Sequence, residues 1–418
     1  MLERISSFVP AATLCIALLA IAAGVAAAPR GSESRIRHVF IIVLENKSYD
    51  ETFKTGTQDP YLAQTLPTMG AILTRYYGTG HFSLDNYLAM ISGQASTQAT
   101  EADCEEFTDF RLDRIDADGQ AVGTGCVYPP QIKTLADQLQ AAGLTWKGYM
   151  EDMGNDPARE APTCGHPKLN QKDPTQAAEA PRAGVPAGDQ YAARHDPFVY
   201  FHSIIDLAAC AANVVNLRTL AADLESPRTT ANFSFITPNL CNDGHDGDGT
   251  GAPGKGCADG RPGGLASTDA FLRAWVPKIL ASPAYKKGGL LIITFDEGDF
   301  SPPLKRTDPV TGKTTIITNA RGEHCCGQKI GPNITRPIVR TYVESDSVTD
   351  VVKIEGYGGD RIGALLLSPH ITPGTVSDIP YNHYSLLRSL EDNFGVAHLG
   401  YAAQDGLQSF GGDIFNNP

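Results

Sequence analysis

The sequence predicts an α/β fold with a mostly parallel central sheet and helices on both faces. Four apolar runs are typical of parallel strands covered on both faces, and each leads directly into polar residues. These runs are Val39–Leu44, Phe233–Thr237, Leu290–Phe295 and Gly363–Ser368. Segments with helical spacing lie between them, and strands that alternate with helices indicate a parallel sheet.

Four segments with apolar residues three or four positions apart predict the helices. They contain Leu62, Leu66, Met69 and Leu73; Ile132, Leu135 and Leu139; Phe271, Trp275 and Ile279; and Leu386, Leu387 and Leu390. Segments 154–188 and 299–333 predict long loops, of the kind that forms a lid or a substrate rim. Because no internal repeat or clear linker is present, we expect residues 29–418 to form one domain with loop insertions at these two segments.

The first 28 residues predict an export signal. Arg4 precedes an apolar stretch from Ala11 to Ala28, and Ala26 with Ala28 makes a small-x-small cleavage site. The protein is therefore expected in the periplasm or outside the cell. An uncleaved anchor is the alternative, because the run approaches spanning length. No later segment is apolar enough to cross a bilayer, so we expect no stable membrane insertion after cleavage.

The charge balance excludes some partners. The chain of 418 residues carries 34 Lys and Arg against 47 Asp and Glu, a net charge of -13. This argues against nucleic acid as a partner and against docking on anionic lipid. It also opposes the approach of a phosphate, so a phosphate site would need local positive charge, which a metal ion supplies.

The cysteines agree with export. Cys15 lies in the signal, and the other eight of the nine cysteines form an even set, which suggests disulfides in an exported chain. Spacing does not determine the pairing, although Cys241 with Cys257 would close a Gly-rich loop. The absence of a C-x-x-C spacing argues against a thiolate zinc site.

The segment His81–Gly93, HFSLDNYLAMISG, places Ser83 at the start of a predicted helix and Asn86 three residues later. The first turn of a helix offers unpaired N–H groups and the positive end of a dipole, which suit an anion. A serine at this position can attack phosphorus. The alternative is structural, because serine is also a common N-cap residue.

Acidic residues follow two of the predicted strands. Glu45 and Asn46 come after the first strand, and Asp296 and Glu297 come after the third. Ligands in such sheets bind beyond the carboxyl ends of the strands, where these acids would repel each other unless a cation held them. Oxygen ligands suit Mg, Ca or Mn, and added histidine nitrogens suit Zn or Fe.

Three histidines lie in segments that suggest chemistry. His245 belongs to the acidic turn 238–246, PNLCNDGHD; His383 precedes a predicted helix; and His195 opens HDPFVYF. Each also has a structural interpretation, as part of a turn, as a helix cap or as part of a packed loop.

The order of these motifs resembles the alkaline-phosphatase superfamily. Its closest branch looks like the bacterial phosphoesterase family of secreted acid phosphatases and phospholipases C. The matching segments are HVFIIVLENKSYDETF, HFSLDNYLAMISG, HDPFVYF, PNLCNDGHD, LLIITFDEGD and YNHYSLLRSLEDNFG, which span residues 38–395. The second of these is similar to secreted acid phosphatases that act on phosphoinositides. The resemblance implies an alkaline-phosphatase-like fold.

The resemblance implies a role for each matching residue. Ser83 matches the nucleophile and Asn86 the amide that orients phosphate. His195, His245 and His383 match active-site histidines, with His195 expected at the substrate and either His245 or His383 as the acid for the leaving oxygen.

The resemblance also implies a divalent metal ion. Its ligands would be Glu45, Asn46, Ser83, Asp296 and Glu297. Many members of the superfamily carry histidine where this chain has Glu297. This difference favours an oxygen-rich site and leaves the number and identity of the metals open among Mg, Ca, Mn, Zn and Fe.

These residues predict an exported, metal-dependent phosphatase of the acid phosphatase type that acts through a phosphoserine. Its substrates would be phosphate monoesters of small molecules or lipid headgroups, phosphoinositides among them. The first alternative is a phosphodiesterase of the phospholipase C type with the same site. The second is a non-catalytic, calcium-stabilised binding protein. The oligomeric state is not predicted.

Overall fold

The computed structural model describes residues 36–417, all within one compact unit. The predicted signal peptide, residues 1–28, lies outside the described residues, and so does its Cys15. Within residues 36–417, no helix has both the length and the hydropathy that crossing a bilayer requires.

The central sheet has eight strands in the order β15-β2-β14-β9-β1-β8-β6-β7. The strands of the described chain are β1 Val39–Leu44, β2 Ala71–Leu73, β3 Tyr76–Tyr77, β4 Arg111–Ile115, β5 Ala121–Thr124, β6 Trp146–Met150, β7 Val214–Asn216, β8 Phe233–Thr237, β9 Leu290–Phe295, β10 Leu304–Thr307, β11 Thr314–Ala320, β12 Ile338–Ser345, β13 Val348–Ile354, β14 Ala364–Leu367, β15 Thr375–Ser377 and β16 Tyr381–Asn382.

The central sheet is mixed. Strands β9, β1, β8, β6 and β7 pair in parallel, and so do β2 and β15. Strand β14 is antiparallel to both of its neighbours, β9 and β2. The prediction of a mostly parallel sheet is therefore not confirmed, and the prediction that Gly363–Ser368 is a parallel strand is wrong. A strand buried on both faces is apolar throughout in either direction, so its composition does not reveal its direction.

The helices are α1 Tyr49–Thr52, α2 Ser83–Ser92, α3 Leu135–Ala141, α4 His202–Ile205, α5 Cys210–Asn213, α6 Leu220–Asp223, α7 Gly264–Ala281, α8 Pro283–Lys286 and α9 His383–Phe394. The predicted helices around Leu135, Phe271 and Leu386 are confirmed as α3, α7 and α9. Helices on both faces of the sheet stay a prediction.

The helix predicted around Leu62–Leu73 is wrong in part. A π-helical turn covers Tyr61–Thr65, a 3₁₀ turn covers Leu66–Met69, and Leu73 belongs to β2. Proline at position 67 removes a backbone donor, and Gly70 approaches β14 so closely that a Cβ atom there would lie 2.1 Å from the Leu366 carbonyl oxygen.

The loop predicted over 299–333 is also wrong in part. It contains β10 and β11, which join β12 and β13 in a separate four-stranded sheet with the order β10-β11-β13-β12. Its β-branched run, Thr314–Thr318, favours a strand. The other predicted loop, 154–188, carries no helix or strand in the described structure.

Four disulfides join the eight cysteines within residues 36–417. They are Cys104–Cys126, Cys164–Cys210, Cys241–Cys257 and Cys325–Cys326. The predicted pairing of Cys241 with Cys257 is confirmed.

Candidate functional site

Three neighbouring parallel strands bring acidic residues to one edge of the sheet. Leu44 pairs with Phe295 at the ends of β1 and β9, so Glu45 and Asp296 leave the sheet side by side. The Asn46 amide donates to Asp296 Oδ1 at 3.0 Å. The Glu45 amide donates to the Asp243 carbonyl oxygen, beyond β8, at 2.9 Å. The predicted meeting of the two acid pairs at the carboxyl edge therefore occurs, and Asp243 joins them.

A side-chain contact also links the two predicted metal-ligand pairs. Asn46 adopts a left-handed conformation with φ of 51° and donates from Nδ2 to Glu297 Oε1 at 2.8 Å. Glu297 Oε2 accepts the Phe82 amide at 2.8 Å. Glu297 thus connects the end of β1 with the residue that precedes Ser83.

Ser83 is the first residue of α2. Its hydroxyl donates to Glu45 Oε2 at 2.8 Å, and the side chain is buried. The N-cap position belongs to Phe82, whose φ of 89° turns the chain sharply into the helix. The structural alternative for Ser83 is therefore not realised, because the hydroxyl contacts a carboxylate on another element and does not cap its own helix.

Tyr87 is a site residue that the sequence interpretation missed. Its hydroxyl donates to Glu45 Oε1 at 2.7 Å, and its ring stacks on His195 with centroids 5.3 Å apart. Residues four apart share one face of a helix, so the position of Tyr87 relative to Ser83 was the available signal. His195 lies 3.4 Å from Glu45 through Nε2 and 3.4 Å from Asp243 through Nδ1.

The buried carboxyl groups repel one another. Burial raises the pKa of Glu45 well above its usual range, and Asp296 and Asp243 raise it further, while hydrogen bonds from Tyr87 and Ser83 lower it. Burial likewise raises the pKa of Asp296 and of Asp243 well above their usual range. The surrounding residues therefore supply too little positive charge to balance the carboxylates at this edge.

The donor atoms fit a divalent cation. Asp243 Oδ2, Asp296 Oδ2 and His195 Nε2 are buried and make no hydrogen bond within residues 36–417. Buried polar atoms seldom lack a partner, and carboxylate oxygens with one imidazole nitrogen are ordinary ligands for the metals named above.

The three carboxylates among the predicted ligands, Glu45, Asp296 and Glu297, do not bring ligand atoms mutually within 4.8 Å. Among residues 36–417, Cys241, Cys257 and Asp259 are the one group whose potential ligand atoms lie mutually within 4.8 Å. The two cysteines form a disulfide, so that group is not a metal site. The acids at the sheet edge are gathered more loosely, and metal binding by Glu45, Asn46, Ser83, Asp296 and Glu297 stays a prediction.

Asn86 holds the loop before α2. Its Oδ1 accepts the Thr79 and Gly80 amides at 2.7 and 3.1 Å, and its Nδ2 donates to the Gly80 and Phe82 carbonyl oxygens at 2.9 and 3.1 Å. A phosphate would have to displace these contacts. The role of Asn86 as a phosphate clamp stays a prediction. In the structure its contacts fix the shape of the loop before α2.

His383 lies directly behind Asp296. Its Nε2 is 2.6 Å from the Asp296 carbonyl oxygen, and its Nδ1 is 3.1 Å from the Tyr76 hydroxyl. Burial lowers the pKa of His383 to about 4. Both ring nitrogens are therefore engaged, and the contacts favour a positioning role over that of an acid.

His245 has a more accessible ring. It is 36% exposed, its Nδ1 lies 2.8 Å from Asp246 Oδ1, and its amide donates to Asp243 Oδ1 at 2.8 Å. Its charge contributes to lowering the pKa of His195, after the larger effects of burial and Arg194. His245 therefore lies near the site with one ring nitrogen, Nε2, outside the Asp246 contact.

His81 was also missed. Its Nδ1 lies 2.8 Å from Glu297 Oε2, and its Nε2 lies 3.1 Å from Asp360 Oδ2. Burial lowers the pKa of His81, but the two carboxylates outweigh burial and raise it to about 10. His81 belongs to the same motif as Ser83, which was the available signal.

Arg194 brings positive charge to the site. It is buried, donates from Nη1 to the Gln176 carbonyl oxygen at 2.9 Å, and lies 4.0 Å from Asp103. Burial lowers the pKa of Arg194, but the carboxylates of Asp103, Glu45 and Asp243 raise it overall. The sequence signal was its place next to His195.

The chain is similar to a family of phosphoesterases and to known phosphatases. The model of the Phosphoesterase family matches residues 57–397. The phosphate-repressible acid phosphatase of Penicillium chrysogenum is 24% identical over 348 residues, covering 83% of this chain and 57% of the fungal protein. The phosphatidylinositol-3-phosphatase of Mycobacterium tuberculosis is 21% identical over 371 residues, covering 87% of this chain and 79% of that protein. The chain spans less than three fifths of the length of the fungal acid phosphatases it matches.

A solved structure is also similar. It is a protein in the alkaline phosphatase superfamily from Vibrio parahaemolyticus, with 11% identity and a TM-score of 0.47, covering 92% of this chain and 72% of that one.

Proposed function

Because this chain belongs to the Phosphoesterase family, we propose that it is a metal-dependent phosphatase of the acid phosphatase type. It hydrolyses phosphate monoesters in two steps, with a phosphoserine at Ser83 as the intermediate. The relatives named above support this class, since both names denote phosphatases.

The contact between Ser83 and Glu45 carries the proposal. A serine hydroxyl is a weak nucleophile unless a neighbouring group takes its proton or lowers its pKa. Ser83 Oγ donates to Glu45 Oε2 at 2.8 Å, so an acceptor for that proton is already in place. The hydroxyl also lies at the first turn of α2. The Leu84 amide there already donates to Asp103 Oδ1 at 3.0 Å, so the favourable contribution to an approaching phosphate is the positive end of the helix dipole.

The proposed metal ion is divalent, and its ligands come from Glu45, Asn46, Ser83, Asp296 and Glu297. When bound, it would lower the pKa of the serine hydroxyl and stabilise the negative charge that develops during transfer.

The chain's own residues complete the first step. Ser83 Oγ forms a bond to phosphorus as the ester P–O bond breaks. The leaving oxygen takes a proton from His245 Nε2, because that side chain is accessible while both ring nitrogens of His383 are engaged. Arg194 supplies positive charge for the incoming phosphate. In the second step, water cleaves the phosphoserine and restores the hydroxyl.

The decisive experiment compares Ser83→Ala with wild type on a chromogenic phosphate monoester. We expect turnover to fall at least about a thousandfold, as for other covalent nucleophiles. Ser92→Ala is the matched control, because Ser92 is buried at the other end of α2 and bonds the Leu88 carbonyl oxygen. A folded Ser83→Ala protein with near-normal turnover would refute the nucleophile.

Substrate choice needs its own comparison. The phosphodiesterase alternative predicts faster cleavage of phosphatidylcholine than of a monoester, and the proposed phosphatase predicts the reverse. A phosphoinositide monoester belongs in the panel, because one relative is named for such a substrate. If no ester is cleaved with any divalent metal, the non-catalytic binding protein is favoured.

We also propose that the protein is exported. The four disulfides within residues 36–417 support an oxidising compartment, as does the apolar N-terminal stretch of the sequence. Mass spectrometry of the protein from its native host tests this, and an intact N-terminus in a cytosolic fraction would contradict it.

A further inference from the structure

We propose that His81, oriented by Asp360, is a positioning residue that holds Glu297 at the active site. The inference rests on the proposed function, in which Glu297 is a metal ligand. His81 and Asp360 have no role in the mechanism derived above.

Both ring nitrogens of His81 contact carboxylates from different parts of the chain. Nδ1 lies 2.8 Å from Glu297 Oε2, at the end of β9, and Nε2 lies 3.1 Å from Asp360 Oδ2. The imidazole is fully buried. The hydrogen bond from Nε2 to Asp360 fixes the orientation of the ring, and with it the position at which Nδ1 lies at ion-pair distance from Glu297.

Asp360 is itself held in place. It adopts φ of 61°, and its Oδ1 accepts the Glu323 amide. The preceding Gly359 packs against the loop before the nucleophile, where a Cβ atom at 359 would lie 2.3 Å from the Gly80 carbonyl oxygen. The segment that carries Asp360 is thus pressed against the segment that carries His81.

Glu297 links His81 to two residues of the active site. Its Oε2 accepts the Phe82 amide at 2.8 Å, and its Oε1 accepts Asn46 Nδ2 at 2.8 Å. A shift of this carboxylate would move both the residue before the nucleophile and a predicted metal ligand. Misplacement of this kind lowers catalytic rates without changing which groups are present.

Two substitutions at His81 separate its two contacts. In His81→Asn, the amide nitrogen takes the place of Nδ1 and retains the contact with Glu297. In His81→Gln, the amide nitrogen reaches the place of Nε2 and retains the contact with Asp360. Asp360→Asn keeps an acceptor for the Glu323 amide but loses the acceptor for His81 Nε2.

We expect a loss of kcat with little change in KM on a chromogenic monoester. Substitutions behind a metal ligand typically cost about ten- to a hundredfold. His81→Gln should fall in this range, His81→Asn should retain more activity than His81→Gln, and Asp360→Asn should lose about tenfold. A purely structural role predicts losses that follow the melting temperature and not the retained contact.

The controls are His38→Asn and Asp50→Asn. His38 is a buried histidine before β1, at the opposite end of that strand, and bonds the Ala231 carbonyl oxygen at 3.0 Å. Asp50 is an exposed acid that pairs with Arg361, next to Asp360. Both variants should keep wild-type kcat.

Crystal structures of wild type and Asp360→Asn give a readout that is independent of activity. We expect the His81 ring and the Glu297 carboxylate to shift. The proposal is overturned if Glu297 stays in place, if the three variants keep wild-type kcat, or if His81→Gln is as active as His81→Asn. An inactive wild-type protein would refute the proposed function, and the crystal structures would then decide the positioning role alone.

Discussion

The Tyr87 hydroxyl donates to Glu45 Oε1 at 2.7 Å, while Ser83 donates to the other oxygen of the same carboxylate. Two residues one helical turn apart on α2 therefore hold one buried acid from both sides. Helix geometry and the Tyr87 hydroxyl together orient the proposed nucleophile and its acceptor.

Tyr87→Phe should weaken this arrangement without abolishing it. Loss of a hydrogen bond to a buried carboxylate should lower the free energy of unfolding by about 1–3 kcal/mol. We expect kcat to fall several-fold, because Glu45 loses one of the contacts that orient it. Denaturant unfolding and steady-state kinetics measure the two effects.

Tyr149→Phe is the matched control for this substitution. Its hydroxyl bonds Asp223 at 2.9 Å, on another carboxylate. The Tyr149→Phe variant should be less stable than wild type and should keep the kcat of wild type. Equal losses of kcat in both variants would contradict a specific role for Tyr87.

Metal removal should lower stability more at neutral than at acidic pH. Without a cation, burial raises the pKa values of Glu45, Asp243 and Asp296. The stability linked to these groups is present below their unfolded pKa of about 4 and is lost as pH rises. The drop in melting temperature on adding chelator should therefore be larger near pH 8 than near pH 5. A chelator effect that does not depend on pH would contradict this account.

Asn86→Ala should destabilise the fold. Asn86 bonds both sides of the turn that leads into α2, so its loss leaves several buried groups unpaired and should cost about 2 kcal/mol or more. Asn216→Ala is the control, since Asn216 is buried and bonds the Met153 carbonyl oxygen away from the site. If Asn86→Ala loses kcat at wild-type stability, the phosphate clamp predicted from the sequence is favoured instead.

Glu391→Gln should make stability less dependent on pH. Burial raises the pKa of Glu391 from 4.5 to about 9. Its contribution to stability is present below 4.5, the unfolded value, and is lost progressively as pH rises toward 9. The variant should match wild type near pH 5 and exceed it by about 1–2 kcal/mol near pH 8. Urea titrations at both pH values measure this, and a variant that is less stable at both would contradict it.

Much of the fold was readable from local pattern. The strands β1, β8 and β9 are continuous apolar runs, and α3, α7 and α9 follow helical spacing. The direction of β14 was not readable, because a strand buried on both faces has the same composition in either direction. The sheet β10-β11-β13-β12 was missed because its strands are short or half-exposed, so no continuous apolar run marks them.

The candidate site divides in the same way. Five site residues could be identified from the sequence because each follows the end of a strand or opens a helix, and such positions can be recognised from local sequence pattern. They are Ser83, Glu45, Asn46, Asp296 and Glu297. Asp360 carries no such mark, and Arg194 is marked only by its place next to His195. Their roles depend on which groups face them from other segments.

The sequence by itself determined that a central sheet combines with helices, and it determined the acids at the carboxyl edge of the sheet and the serine at the start of α2, because periodicity and strand ends are local properties. Only the tertiary structure decided that Ser83 bonds Glu45, that Asn86 and His383 are engaged in the scaffold, and that His81 lies between Glu297 and Asp360. The physical reason is that hydrogen bonds join atoms that folding brings together from distant parts of the chain.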